Sequence, residues 1–132
     1  MKIRKLFLKD KDGQSLIEFA LVLPILLLVL FGITEFGRAI MVTNVLYTAA
    51  REGARQGVVS GDTTLVVDRV NAVLDAADLL DGAVVEDPVY DLTEMTITVT
   101  VRYNFEVLSG EILKPFMGTF PLKGRTVMRY SS

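Results

Sequence analysis

The chain has 132 residues, no cysteine and no histidine, and a formal net charge of −2. The missing residue types exclude disulfides, thiolate metal sites and histidine acid–base chemistry, so we expect no enzyme, no metal and no cofactor. The charge is uneven. Positions 1–13 hold five basic and two acidic residues, which leaves nine basic and fourteen acidic residues, a net −5, in the rest. A basic head on an acidic body argues against nucleic-acid binding and fits a membrane protein whose basic end stays in the cytoplasm.

An apolar segment follows the basic leader. Leu16–Ile33 comprises 18 residues with Glu18 as the only charge, and a helix of this length spans about 27 Å, close to the hydrocarbon thickness of a bilayer. The segment therefore predicts a transmembrane helix, in which Pro24 removes one backbone hydrogen bond. A secretory signal peptide fits less well, because the run is long, contains Pro24 and Glu18, and is followed by further helical pattern instead of a small-residue cleavage site.

The helical pattern continues beyond the membrane segment, from Thr34 to Val58. Within it Ala49, Gly53 and Gly57 recur at intervals of four and form a narrow ridge on one helix face. We favour the interpretation that this ridge packs closely on the domain of its own chain. The alternative is a contact between helices of different subunits through small residues.

The C-terminal part predicts a small domain of one further helix and a three-stranded antiparallel sheet. Asp62 caps a second helix over Thr63–Leu80, which Gly82 ends. Asp75, Asp78 and Asp81 lie off the apolar face of this helix, and we interpret them as a solvated acidic edge in preference to a cation site. The predicted fold class is therefore α+β, with a long N-terminal transmembrane helix that continues into the domain.

Three segments predict the strands. "AVVEDPVYDL" indicates a short strand with Pro88 at an edge or turn, and "FPLKGRTVMRY" a last strand after "LSGEILKPFMG", a connection with one helical turn. The strongest pattern is Met95–Val107, whose odd-numbered residues are predicted to face the core and whose even-numbered residues face water. One wet face indicates an antiparallel sheet.

A plain membrane anchor leaves Glu18 unexplained. A charge at the centre of a membrane helix costs about 2.5–3.5 kcal/mol on insertion scales, and no Lys or Arg lies within one turn of Glu18. A cut after Gly13 would create a cation, the α-amine of Gln14, one turn away. Glu18 is therefore a functional candidate that pairs with an amine of its own chain or of a neighbour.

The residues around this position resemble a known processing motif. Gly13 followed by "QSLIEF" is similar to the type IV prepilin site, with a basic leader, a glycine before the cut, and Glu18 and the aromatic Phe19 as the fifth and sixth residues after it. The wider stretch, through "EFALVLP", "EFGRA" and "AAREGAR", resembles the TadE-like family of pseudopilins from tight-adherence (Flp) pilus systems.

This resemblance implies a minor pseudopilin in the cytoplasmic membrane, with its N-terminus inside. It implies a leader over 1–13, a helix over 14–60 and an extracytoplasmic domain over 61–132. The implied partners are a prepilin peptidase, other pilin or pseudopilin subunits, the pilus assembly platform and the lipid bilayer. Two alternatives stay open: an uncleaved structural component of the apparatus with Glu18 at headgroup level, and an exported enzyme or binding domain on a membrane anchor.

Overall fold

The computed structural model describes residues 11–107 and 118–130. Its elements in chain order are α1 (Lys11–Ser60), α2 (Thr63–Ala76), a 3₁₀ turn (Leu80–Gly82), β1 (Ala83–Val85), β2 (Val89–Asp91), β3 (Thr96–Phe105) and β4 (Phe120–Arg129). The predicted α+β class with a long N-terminal helix is confirmed. The helical turn predicted within 108–117 and most of the basic leader lie outside the described residues.

Helix α1 runs through both parts of the chain. It continues past Pro24, since a proline removes one hydrogen bond and a long helix tolerates the loss. The chain divides into two compact units between Glu35 and Phe36. Every residue from Gln14 to Thr34 is exposed, and α1 contains an 18-residue window with a mean hydropathy of 2.8. The domain boundaries at 13/14 and 60/61 stay predictions.

Helix α2 begins as predicted and ends early. The Asp62 side chain accepts a hydrogen bond of 2.8 Å from the Thr64 N–H, which caps the first turn. The helix ends at Ala76, so the predicted end at Leu80 is wrong. Asp78 adopts a left-handed conformation with φ 57°, and the Leu79 N–H reaches back to the Leu74 carbonyl over 2.9 Å. This is a Schellman ending, with aspartate where glycine is usual.

The sheet has four antiparallel strands, and β3 is paired on both edges. β1 and β2 lie end to end along one edge of β3, whereas β4 pairs with the other edge over its full length. The prediction of three strands was wrong by one because Glu86–Pro88 divides the first strand. Pro88 has no N–H to donate to the ladder, so the pairing stops and resumes at Val89.

The alternation predicted for β3 determines which of its side chains face the core. Ile97, Val99 and Val101 are completely buried. Two residues differ from the prediction. Met95 lies in the preceding turn with φ 50° and is exposed. Thr100 belongs to the outer face yet is only 6% exposed, because it stands in the central strand between neighbours on both edges.

The sheet packs on the second half of α1, and Gly124 in β4 permits the close approach. A Cβ atom at Gly124 would lie 2.6 Å from the Leu46 carbonyl oxygen and 2.7 Å from the Tyr47 nitrogen. These are backbone atoms of a helix, which do not move aside as a flexible side chain would. The core between the sheet and the two helices consists of Val42, Leu46, Ala49, Ala50, Ala54, Val66, Val70, Leu74, Ile97, Val99, Val101 and Phe105.

We expect Gly124→Ala to destabilise the domain by about 1–3 kcal/mol, because the added methyl group forces β4 away from α1. Thermal unfolding of the full chain in detergent, followed by circular dichroism, measures the change. Gly118→Ala is the matched control, since a Cβ there meets no atom within 4 Å. Equal stability of the two variants would show that β4 does not depend on this contact.

Candidate functional site

The predicted cleavage site lies within α1. The described part of this helix runs from Lys11 to Ser60, so the bond between Gly13 and Gln14 has helical geometry. Gly13 has no side chain to obstruct the approach of a peptidase to the bond.

Glu18 lies one turn beyond Gln14 on the same face of α1. Four residues of helix correspond to about 6 Å along the axis, a distance that a glutamate side chain spans. Gln14, Glu18 and Phe19 are all exposed in the described structure. Nothing in the isolated chain tests the predicted pairing of the carboxylate with the Gln14 amine, which stays a prediction.

The ridge of small residues lies inside the second compact unit. Ala49, Gly53 and Gly57 are buried. A Cβ at Gly53 would collide with Val70 of α2, and one at Gly57 would collide with the Ile97 side chain of β3. The ridge thus receives α2 on one side and the sheet on the other, all from the same chain.

Tyr90 connects β2 to Gly57, at the end of this ridge. Its hydroxyl donates a hydrogen bond of 3.2 Å to the Gly57 carbonyl, and its ring meets the Tyr130 ring edge to face at 5.9 Å between centroids. Burial raises the pKa of the Tyr90 phenol above its usual 10.0, and the charges of Asp62 and Tyr130 add to the increase. The hydroxyl is therefore a stable donor over the whole physiological range of pH.

Arg38 joins α1 to the far end of β3. Its guanidinium carbon lies 4.4 Å from the centroid of the Phe105 ring, and its Nη2 donates to the Glu106 carbonyl. The cation–π contact acts on Phe105, the last residue of β3, and the hydrogen bond on Glu106, the next residue, so together they fix where β3 ends on α1. Arg38 belongs to the "EFGRA" motif, whose i, i+3 spacing predicts a pair with Glu35 and does not indicate the contacts with β3.

An open groove separates the second half of α1 from the C-terminal end of α2. Its volume is about 490 Å³, and its lining includes Ile40, Met41 and Val45 of α1 and Val73 and Ala77 of α2. No lining residue is titratable. The groove therefore suits apolar groups and supplies no acid, base or charged ligand.

The described residues bring no candidate metal-binding cluster together. No group of three or more Asp, Glu, His or Cys side chains among them has the spacing to hold a metal ion. Sequence reasoning missed the roles of Gly124 and Arg38. Gly124 carried a usable signal, because a glycine inside a strand pattern often marks a close backbone approach. Arg38 carried none, since its partners are about 67 residues away along the chain.

Comparison with known families bears on the N-terminal third of the chain. Residues 13–55 match the family model described as TadE-like protein, which confirms the resemblance of the motifs. No curated protein and no solved structure matches the chain. The matched residues overlap the single described helix that is long and apolar enough to cross a bilayer.

The pKa of Tyr90 predicts a loss of stability in alkali. Because the folded chain raises this pKa above 10.0, the stabilisation is complete below pH 10 and is lost as the pH rises through the folded value. We expect the unfolding free energy of the full chain to fall above pH 10, and to fall less steeply in Tyr90→Phe. Tyr47→Phe, at an exposed position of α1, is the control and should keep the wild-type slope. Identical slopes in all three proteins would contradict the role of Tyr90.

Proposed function

We propose that this chain, whose residues 13–55 match the TadE-like family, is a minor pseudopilin of a tight-adherence pilus. A prepilin peptidase cuts it between Gly13 and Gln14, and the mature subunit then takes part in pilus assembly. The observation that carries the proposal is where the family match lies. It begins at Gly13, the residue before the cut, and covers the apolar segment and the ridge.

The membrane segment supports storage of the subunit in the bilayer before assembly. The helix over Leu16–Ile33 is exposed on all sides, and Glu18 is its only charged residue. A helix of this kind needs lipid or other apolar helices around it. Both environments exist for a pilin-like subunit, in the membrane before assembly and among neighbouring subunits afterwards.

Cleavage after Gly13 would create the amine with which Glu18 is proposed to pair. Cleavage creates a positive charge at Gln14, and Glu18 supplies a negative one a turn away. In a low-dielectric setting each charge alone is costly, so the two favour association with one another. A neighbouring subunit displaced along a shared axis would offer its own amine to the same carboxylate.

An uncleaved structural component of the pilus apparatus is the second candidate. One observation favours it: the described part of α1 includes Gly13 and Gln14, so the bond between them is helical, whereas a protease binds its substrate extended. The helix must unwind at this bond before cleavage. The N-terminal mass of the protein from its native host decides between the two candidates.

The charge distribution predicts the orientation of the chain. Five basic residues precede the apolar segment, and only Arg38 follows within ten residues of its end. We therefore expect Met1 in the cytoplasm and Ser132 outside, according to the positive-inside rule. A reporter that is active only outside the cytoplasm should work when fused after Ser132. Activity of a cytoplasm-only reporter at that position would contradict the orientation.

Glu18→Gln and Gly13→Leu separate assembly from processing. Glu18→Gln should insert in the membrane as well as the wild type or better, because a charge is removed, but should fail to co-purify with partner pilins. Gly13→Leu should remain as a longer, membrane-bound precursor, since its side chain obstructs the peptidase. Each variant is expressed in the native host, and its N-terminal mass is compared with recovery of partners. Normal assembly of Glu18→Gln would rule out the pairing role and favour the uncleaved component.

A further inference from the structure

The sheet has two outer edges, and their backbone groups are open among the described residues. Directly after β4, the Tyr130 N–H donates to the Met95 carbonyl over 2.9 Å. Bonding alternates along an antiparallel ladder, so even-numbered residues of β4 bond to β3 and odd-numbered ones point outward. No strand within 11–107 or 118–130 pairs with this outer edge. A ten-residue strand is long for an edge, which proteins usually keep short or cover.

The open edge of β4 is basic. Lys123, Arg125 and Arg129 are residues whose backbone points outward, and their side chains share the outer face of the sheet. All three are exposed. Among the described residues no carboxylate forms an ion pair with any of them. Val127, which is 52% exposed, stands between the two arginines.

The opposite edge of the sheet is acidic. Glu86 follows β1 and donates its N–H to the Thr100 carbonyl, and Asp91 ends β2. Glu86 contacts Arg102 through Oε1, whereas Asp91 accepts from the N–H groups of the following turn through Oδ1. These contacts use one oxygen of each carboxylate, so the second oxygen can accept a further cation.

The residues at the two edges of the sheet are complementary. A row is the set of residues that lie side by side across the strands, and it is named by its residue in β3. Three rows of the outer face carry complementary residues at their two ends: Arg125 and Glu86 in the row of Thr100, Val127 and Val89 in that of Thr98, and Arg129 and Asp91 in that of Thr96. The order is basic, apolar, basic on one edge and acidic, apolar, acidic on the other. Because β4 runs parallel to β1 and β2, a second sheet displaced sideways without rotation presents the matching residue at each row.

We propose that β4 of one copy of this chain docks on the β1–β2 edge of a second copy, so that the two sheets continue head to tail. Arg125 then faces the second copy's Glu86, and Arg129 faces its Asp91. The backbone agrees with this register. In a parallel pair of strands, the backbone of an outward-pointing residue bonds to the two residues that flank the residue opposite. Val85 flanks Glu86, which lies opposite Arg125, and Tyr90 flanks Asp91, which lies opposite Arg129.

The charges disfavour the symmetric alternative. Two copies joined through β4 on both sides would set basic residues against basic residues, and like charges directly opposite destabilise a sheet. The head-to-tail contact also keeps both copies in one orientation, which anchoring in a single membrane requires. It is a heterologous contact and repeats from copy to copy. The inference does not depend on cleavage after Gly13.

Cysteine cross-linking of the full chain tests the contact, since the natural sequence has no cysteine. Two differently tagged copies, one with Val127→Cys and one with Val89→Cys, are expressed together, and isolated membranes are treated with a short bifunctional maleimide. We expect a cross-linked dimer that carries both tags. The matched control pairs Val127→Cys with Val84→Cys, which lies in the row of Arg102, two rows away, and should give little product.

Charge reversal gives a second readout. Arg125→Glu with Arg129→Glu in the Val127→Cys copy should reduce the mixed dimer roughly tenfold, because two attractive pairs become repulsive. Arg51→Glu with Arg55→Glu, the same charge change at exposed positions of α1, should leave the yield unchanged. Circular dichroism of each variant confirms that it is folded.

The outcomes are distinct. A mixed dimer that the β4 reversal removes and the α1 reversal does not would support the contact. A cross-link between two Val127→Cys copies would overturn the head-to-tail contact in favour of a symmetric pair of β4 strands. Equal yield for Val89→Cys and Val84→Cys, or no mixed dimer from folded chains, would overturn it. Each result is independent of processing and can be obtained in a host without the peptidase.

Discussion

The close approach of α1 to the sheet is the constraint on which the domain depends. A helix and a sheet normally meet through side chains on both surfaces, but here glycines on both surfaces bring them closer. On the helix, Gly57 leaves room for Ile97 of β3, and on the sheet Gly124 lies directly against the helix backbone at Leu46. A thin core of small and β-branched side chains can fill the space only at this separation.

The two parts of helix α1 have different compositions. From Leu16 to Ile33 the helix is exposed on every side and apolar except for Glu18, as expected of a segment that lies in hydrocarbon. From Phe36 onward one face is small and buried, and the other carries charges such as Arg51 and Arg55. The change of composition therefore marks a change of surroundings, and no break in the helix is required between the two.

The contacts made outside the core are polar and directional. Arg38 fixes the end of β3, and Tyr90 fixes β2 to Gly57, so each holds a strand that the small core alone would hold weakly. Exposed ion pairs add less. Arg69 and Glu52 link the two helices over 2.9 Å, and a pair this exposed contributes about 0.2–1 kcal/mol. The outer face of the sheet carries opposite charges at its two edges.

The sequence by itself determined the features that arise from local order along the chain. The apolar length of Leu16–Ile33, the cap at Asp62 and the alternation in Met95–Val107 each act within one element, and the motifs from Gly13 to Arg55 carry the resemblance that the family model matches over residues 13–55.

Tertiary structure decided the features that depend on residues far apart. Asp78 ends α2 because a reversal there brings the chain back toward the sheet, whereas its composition would have allowed the helix to continue. Gly124 and Arg38 acquire their roles from partners about 67 to 78 residues away. The complementary rows of the two edges exist only in the register of the folded sheet, because pairing across strands is not encoded in the spacing along any one of them.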